Sequence, residues 1–314
     1  MAAGIVTDSA LRVIQQQSNS RCCRAFCLVR PPGHHCSATP EGFCVINNVV
    51  VAAKQASFEY RKLHGRAPRI AFLDVDVHQG NGTQALLESW NAEAANSSGE
   101  PLVLFMSIHR YDGGTFFPGT GAPTHCGPCG MMLNVGLDTA RKRDVHRLIC
   151  DLTMDIFARR LVLPLLAAYA PDLIFVSCGF DALEGDPLGG MGVVFGIERF
   201  VAAVCSAAPD IPVVAALEGG YDVESVAQGC CRVVAALADP ESITTPPVPP
   251  STWLDTADQD TLDARRTRHD EWASNAIATP VRAARSHLEG STRFHDEGVA
   301  AVRDALRSID QSFN

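Results

Sequence analysis

Six apolar, β-rich runs, separated by stretches that include clear helix candidates, constrain the fold of this chain more than any other feature. They are AFCLVR (25–30), IAFLDVDV (70–77), LVLFMSI (102–108), MLNVGL (132–137), LIFVSCGF (173–180) and VVAALEGG (213–220). Each run is nearly continuous rather than alternating, as expected of parallel strands covered on both faces. The intervening stretches 43–63, 143–169 and 222–237 are predicted crossover helices. The pattern predicts an α/β fold: a three-layer sandwich with a mostly parallel central sheet. In such sheets ligands bind beyond the carboxyl ends of the strands.

The strand–helix pattern ends near residue 240. TTPPVPPST (244–252) cannot continue a helix or a central strand, so 241–252 reads as a Pro-rich linker. The expected organisation is a catalytic domain over 1–240 and a charged C-terminal tail over 253–314, helical or partly disordered. VAAVRDALRSI (299–309) carries weak helical periodicity. The net charge of −9 argues against direct nucleic-acid binding, since no basic excess meets phosphate. No apolar run is long enough to span a bilayer, and the N-terminus lacks the pattern of a signal peptide. Cys27, Cys44, Cys178 and Cys205 lie in apolar segments and read as small buried hydrophobes, which points to an intracellular location. Cys126 and Cys129 form a single CxxC with no second pair, a weak metal or redox signal that reads as a plain loop.

Chemistry gathers where the strands end. Asp76 and His78 flank Val77 at the end of one run, and Asp181 follows another. Residues two apart on a strand face the same way, so both can reach one ion, and Asp181 would complete a triad. Two carboxylates and an imidazole suit zinc with one position left for water. Either aspartate alone could be a cap or turn residue; the combined pattern favours the metal. His34 and His35 follow Pro31, Pro32 and Gly33 on a rigid loop, and imidazole is the usual base near neutral pH. Tyr221, after two glycines, supplies a hydroxyl for a developing oxyanion.

At RPPGHH (30–35), LDVDVH (73–78), CGFD (178–181) and EGGY (218–221) the sequence resembles the zinc-dependent histone deacetylase family, class II type, of arginase/deacetylase-like fold. The resemblance implies one catalytic Zn2+ on Asp76, His78 and Asp181, with His35 as the proton carrier. His34, paired with Asp74, is the electrostatic member, and Asn81 stands behind His35. It also implies a structural K+ near Asp74, Asp76, His78, Ser107 and Ile108. Gly42 and Phe43, Phe117, Leu188 and Gly220 would line a narrow tunnel for the stem of acetyl-lysine. Family members with His in place of Tyr221 deacetylate acetyl-lysine poorly. Those that act on polyamines carry an acid where Leu188 stands. The implied activity is hydrolysis of N6-acetyl-lysine in a histone or other protein. The implied partners are an acetylated protein and a partner chain or corepressor complex, in the nucleus or cytoplasm. RKR (141–143) is too short for a nuclear signal and reads as the opening of a solvated helix.

The sequence departs from the family in three places. Only 33 residues precede His34, so rim loops and part of the pocket wall would be missing unless 253–314 or a partner chain covers the gap. Gln79 stands where most relatives have His, and strand alternation predicts that it points away from the metal. Asp112, Gly113 and Gly114 alter the rim loop. Two other readings stay open: a catalytically impaired interaction module, which the short N-terminus favours, and an acetylpolyamine or small acetyl-amine deacetylase, which Leu188 disfavours. A binuclear ureohydrolase would need an Asp-x-Asp where CGFDAL offers only Asp181.

Overall fold

A computed structural model describes residues 1–16, 23–97, 100–139, 147–249, 251, 259–291 and 296–313. Its centre is a six-stranded sheet. The strands are β1 (Arg24–Cys27), β2 (Ile70–Asp74), β3 (Leu104–Arg110), β4 (Met132–Leu137), β5 (Leu173–Cys178) and β6 (Val213–Leu217). Their order is β1-β6-β5-β2-β3-β4, and every pairing is parallel. Each expected run overlaps one strand. Every residue of β2, β4, β5 and β6 is buried, which explains the unbroken apolar runs. Phe72 and Phe175 stack at 5.4 Å between ring centroids where β2 meets β5.

The chain lays β3 and β4 on one side of β2, then returns to place β5 and β6 on the other. The winding direction therefore reverses between β2 and β5, which opens a crevice beyond their carboxyl ends.

Helices α1 (Ala2–Gln16), α2 (Asn48–His64) and α3 (Asn81–Ala94) form one layer, with α1 packed on α2, β1 and β6. The other layer is α4 (Asp151–Phe157), α5 (Leu163–Tyr169), α6 (Gly196–Ala207) and α7 (Val223–Ala238). A π-helical turn, Ala158–Val162, joins α4 to α5. Caps set the ends of α2: the Asn47 side chain accepts from Val50 N at 3.1 Å, and Gly65 closes the helix at φ 71°. The expectation of a helix from 143 holds from Asp151; 140–146, including the RKR stretch, lie outside the described residues.

Two further helices follow, α8 (Gln259–Gly290) and α9 (Glu297–Gln311). They pack on each other and against β4, α4 and α5, with Ile277, Val281, Leu288, Val302 and Leu306 buried. They therefore stand at the β4 edge, the opposite end of the sheet from β1. Within the expected linker, residues 243–249 have no regular structure, and Val248 N donates to Asp151 Oδ2 at 3.1 Å. Pro250 and Thr252, and the start of the tail at 253–258, lie outside the described residues.

Cys27, Cys44, Cys178 and Cys205 are buried as expected, and no disulfide forms among the described residues. Cys126 and Cys129 sit in the loop before β4 and belong to no metal-capable cluster among the described residues. Among those residues no helix is long and apolar enough to cross a membrane.

Candidate metal and catalytic site

β2 ends at Asp74, so Asp76 and His78 lie in the bend after the strand and not on it, a correction to the strand-alternation argument. The backbone N–H groups that would continue the ladder turn to carboxylates instead. Asp76 N donates to Asp74 Oδ1 at 3.2 Å, Val77 N to Asp181 Oδ1 at 3.0 Å and His78 N to Asp76 Oδ1 at 2.8 Å. The crevice at the β2/β5 reversal is thereby lined with acidic groups that accept from main-chain N–H groups.

Asp76, His78 and Asp181 offer three ligand atoms within 4.8 Å of one another, all from buried residues. The facing atom of His78 is Nδ1, 2.9 Å from Asp181 Oδ2 and 3.2 Å from Asp76 Oδ1. Burial and then the Asp76 charge push the Asp181 carboxyl up to about 7. Burial would lower the His78 imidazole, but hydrogen bonds to Asp181 and Asp76 raise it to about 10. Two carboxylates and an imidazole drawn together in a buried crevice mark a place that suits a divalent cation. The space is kept open by Gly219. A Cβ there would come within 2.2 Å of Asp181 Oδ2 and 2.6 Å of Asp76 Oδ2. The donor set therefore fits zinc with an open coordination position.

His34 and His35 come from the loop after β1, their ring centroids 4.0 Å apart. His34 Nδ1 lies 3.2 Å from Asp74 Oδ2, and its Nε2 lies 3.8 Å from Asp76 Oδ2. Burial disfavours a charge on His34, but Asp76 and Asp74 outweigh it and hold the imidazole well above its ordinary value. His35 differs. Its Nδ1 meets Asn81 Oδ1 at 2.8 Å, and burial together with neighbouring His34 pushes it down to about 3. One ring is set up as a cation and the other as a neutral base.

Glu218 was quoted in EGGY without a role. It is fully buried, and its Oε2 accepts from Gly33 N at 2.6 Å and His34 N at 3.1 Å. Its Oε1 accepts from the Ser177 hydroxyl at 3.1 Å. Glu218 thus fastens the histidine loop to the end of β6. Arg30 donates to the main-chain oxygens of Glu218 and Gly220 from the same loop.

The mouth is aromatic. Phe117 lies 5.0 Å from the His35 ring and 6.0 Å from the His78 ring. Phe43 lies 5.9 Å from Tyr221. Both phenylalanines are exposed, against the usual preference of the residue for the core. Phe116, not singled out in the sequence, stacks on His78 at 5.1 Å and under the Arg110 guanidinium at 4.3 Å. Burial and the two metal-site aspartates push the Tyr221 hydroxyl up, so it remains a neutral donor. Gly42 lies against the His35 ring, and Gly220 turns at φ 120° just before Tyr221. Leu188 is half exposed at the rim. Asp186, also missed, accepts from Tyr221 N and Leu188 N at 2.8 Å each, and from Gly189 N at 3.0 Å. Asp and Gly in a GDPLGG stretch read as a turn, and nothing local betrays the long-range bond to Tyr221.

Gln79 points away from the metal ligands. Its amide donates to Gln84 Oε1 at 2.7 Å and accepts from the Thr120 hydroxyl at 2.7 Å. Ser107 Oγ meets His109 Nδ1 at 2.9 Å, and Ile108 is buried. The altered rim loop closes on Asp112, whose Oδ1 accepts from Thr139 N at 2.7 Å and whose Oδ2 accepts from Arg110 at 2.6 Å.

A family model described as "Histone deacetylase domain" matches residues 1–237. The chain is 36% identical over 242 residues to histone deacetylase 4 of Caenorhabditis elegans, covering 75% of this chain and 26% of that protein. It is 36% identical over 240 residues to histone deacetylase 7 of Homo sapiens, covering 75% and 23% respectively. It therefore spans about a quarter of the length of these relatives. The solved HDA15 HD domain superposes with a TM-score of 0.65 at 27% identity, over 92% of this chain and 71% of that one.

Proposed function

The chain belongs to the histone deacetylase family, class II type, and from that premise we propose that it hydrolyses the acetyl amide of N6-acetyl-lysine in proteins. The observation that carries the reading is the gathering, at the β2/β5 reversal, of a three-ligand cluster and two adjacent histidines, one against Asp74 and one against Asn81, with Phe117 beside His35 and Phe43 beside Tyr221.

Zinc on Asp76, His78 and Asp181 would supply Lewis acidity toward the acetyl carbonyl and lower the pKa of a water. His35, neutral with Nδ1 committed to Asn81, takes a proton from the attacking water at Nε2 and returns it to the lysine nitrogen as the C–N bond breaks. His34, charged against Asp74 and Asp76, supports the negative charge that develops nearby. The Tyr221 hydroxyl donates to the acetyl oxygen as it becomes an oxyanion. Phe43 and Phe117 grip the methylene stem and exclude water. Acetate and a protonated lysine amine leave. Half-exposed, apolar Leu188 supports a protein substrate over a cationic polyamine. A monovalent cation beside Asp74, Asp76, His78, Ser107 and Ile108 belongs to the same proposal and rests on the resemblance alone. So do a partner chain or corepressor complex and residence in the nucleus or cytoplasm.

The test is hydrolysis of an acetyl-lysine peptide by the purified chain, beside Tyr221→Phe and with a zinc chelator. Turnover lost in both is expected, with Tyr221→Phe reducing kcat by about 10²-fold or more. Absence of turnover from folded, zinc-loaded protein would overturn the reading in favour of an interaction module. Preference for acetylspermidine would redirect it to small amines.

A further inference from the structure

The hydrogen-bond chain behind His35 does not stop at Asn81. Asn81 Nδ2 donates to Glu41 Oε2 at 2.8 Å, while Asn81 Oδ1 faces His35 Nδ1 at 2.8 Å. An ionised carboxylate accepts and cannot donate, so the Asn81 atom facing Glu41 has to be its NH2 group. The amide oxygen is then turned to His35, and an amide oxygen cannot donate either. His35 must carry its proton on Nδ1, which leaves Nε2 bare.

Glu41 is well placed to impose this order. It sits on an exposed turn whose backbone is pinned on both sides: Glu41 N donates to Cys44 O at 3.1 Å, and Cys44 N donates to Glu41 O at 2.7 Å. Gly42 and Phe43 inside the turn adopt φ 52° and 65°. The turn also rests on the histidine, since His35 N donates to Cys44 Sγ at 3.4 Å, and a Cβ on Gly42 would meet the ring at 2.4 Å. One short turn therefore carries the tunnel wall Phe43, bears on the His35 ring and holds the acceptor that orients Asn81.

We propose that Glu41 is a positioning residue which, by orienting the Asn81 amide, holds His35 in the Nδ1-protonated tautomer that a general base acting through Nε2 requires. This rests on the assignment of His35 as the base. A residue that acts only through an uncharged amide needs such an outer acceptor, because the amide by itself can present oxygen or NH2 to the ring.

The experiment is 15N–1H correlation of the imidazole nitrogens in the zinc-loaded, 15N-histidine-labelled chain, with the His35 signals identified by their loss in His35→Gln. Wild type should show a protonated Nδ1 and a bare Nε2. Glu41→Leu, which offers no acceptor, should shift His35 toward the Nε2-protonated form. Its kcat should fall about tenfold with KM within about twofold, because a wrong tautomer removes base function without touching binding. Glu41→Gln, which can still turn an oxygen to Asn81, should restore part of both. Glu41 is exposed, so zinc content and melting temperature should stay at wild-type values. An unchanged His35 tautomer in Glu41→Leu would overturn the proposal. A tautomer shift in a chain whose wild type shows no turnover would support the relay and sink only the deacetylase reading.

Discussion

Two buried residues show how closely charge and space are set. At Gly219 the main-chain N donates to Asp76 Oδ2 at 2.7 Å, and the missing side chain is what leaves room for both metal-site carboxylates. Gly219→Ala should displace one of them and weaken zinc binding by about tenfold or more, measured by competition with a chromophoric chelator; wild-type affinity would refute the cradle. Glu198 lies away from the site, buried on α6 with Arg232 3.9 Å distant. Burial pushes its carboxyl up to about 7, with Arg232 opposing. A folded-state value above the ordinary 4.5 means that the native protein holds this proton more tightly than the unfolded chain. The stability it contributes is full below about pH 4.5 and is lost as pH rises through about 7. Glu198→Gln should gain about 2 kcal/mol on wild type between pH 5 and pH 8 in paired denaturant titrations. A pH-independent difference would refute the burial argument. Sequence reading found residues whose type carries chemistry, such as Asp76, His78 and Tyr221. It passed over Glu218, Asp186 and Glu41, because a carboxylate that organises main-chain or amide donors looks the same in sequence as a solvated one.

At the scale of elements, unbroken burial made the strands legible, since β2 and β5 have no exposed face to interrupt the apolar run. Three helices were not read. α1 has buried Val6, Ala10, Val13 and Ile14 on one side, but polar residues separate them in sequence. α3 opens on Asn-Gly, a turn signal, although Asn81 there is already helical and also faces His35. α6 is apolar enough to blur into the strand pattern around it. The strand ends were misplaced for a definite reason: side-chain carboxylates take the donors of residues 76–78, two of them from Asp74 and Asp76 close by and the third from Asp181 across the fold, which no strand pattern records. The loops after β5 and β6 depend on one such group. Asp186→Ala would leave the N–H groups of Tyr221, Leu188 and Gly189 without their shared acceptor, at a cost of about 1–3 kcal/mol. Because Tyr221 would lose its anchor, kcat should fall about tenfold while zinc content stays constant. If both the melting temperature and kcat matched wild type, the link between the loops would have no role.

At the scale of the whole molecule, the sheet is treated differently at its two ends. β1 at one end is four residues long and lies beside α1. β4 at the other end is longer and fully buried, and α8 and α9 pack near it. The tail was legible as charged and weakly helical, but not as part of the core, because its apolar residues are spread thinly along α8. They nonetheless line up. Ala273, Ile277, Val281, Ala284 and Leu288 are each buried, at the i, i+4 and i+3 steps of one helical face. His269 on α8, fully buried, reaches Thr153 Oγ1 at 3.0 Å across to α4. Arg285 and Asp310 tie α8 to α9 at 2.6 Å. If these helices complete the core, Leu306→Ala on α9, a fully buried position, should cost about 2–5 kcal/mol in chemical denaturation of the full chain. The loss should appear in a single cooperative transition shared with the sheet, because one hydrophobic cluster joins Val302 and Leu306 to β4 and α5. A separate early transition, leaving the main unfolding midpoint of the mutant at its wild-type value, would show instead that the tail melts independently of the sheet.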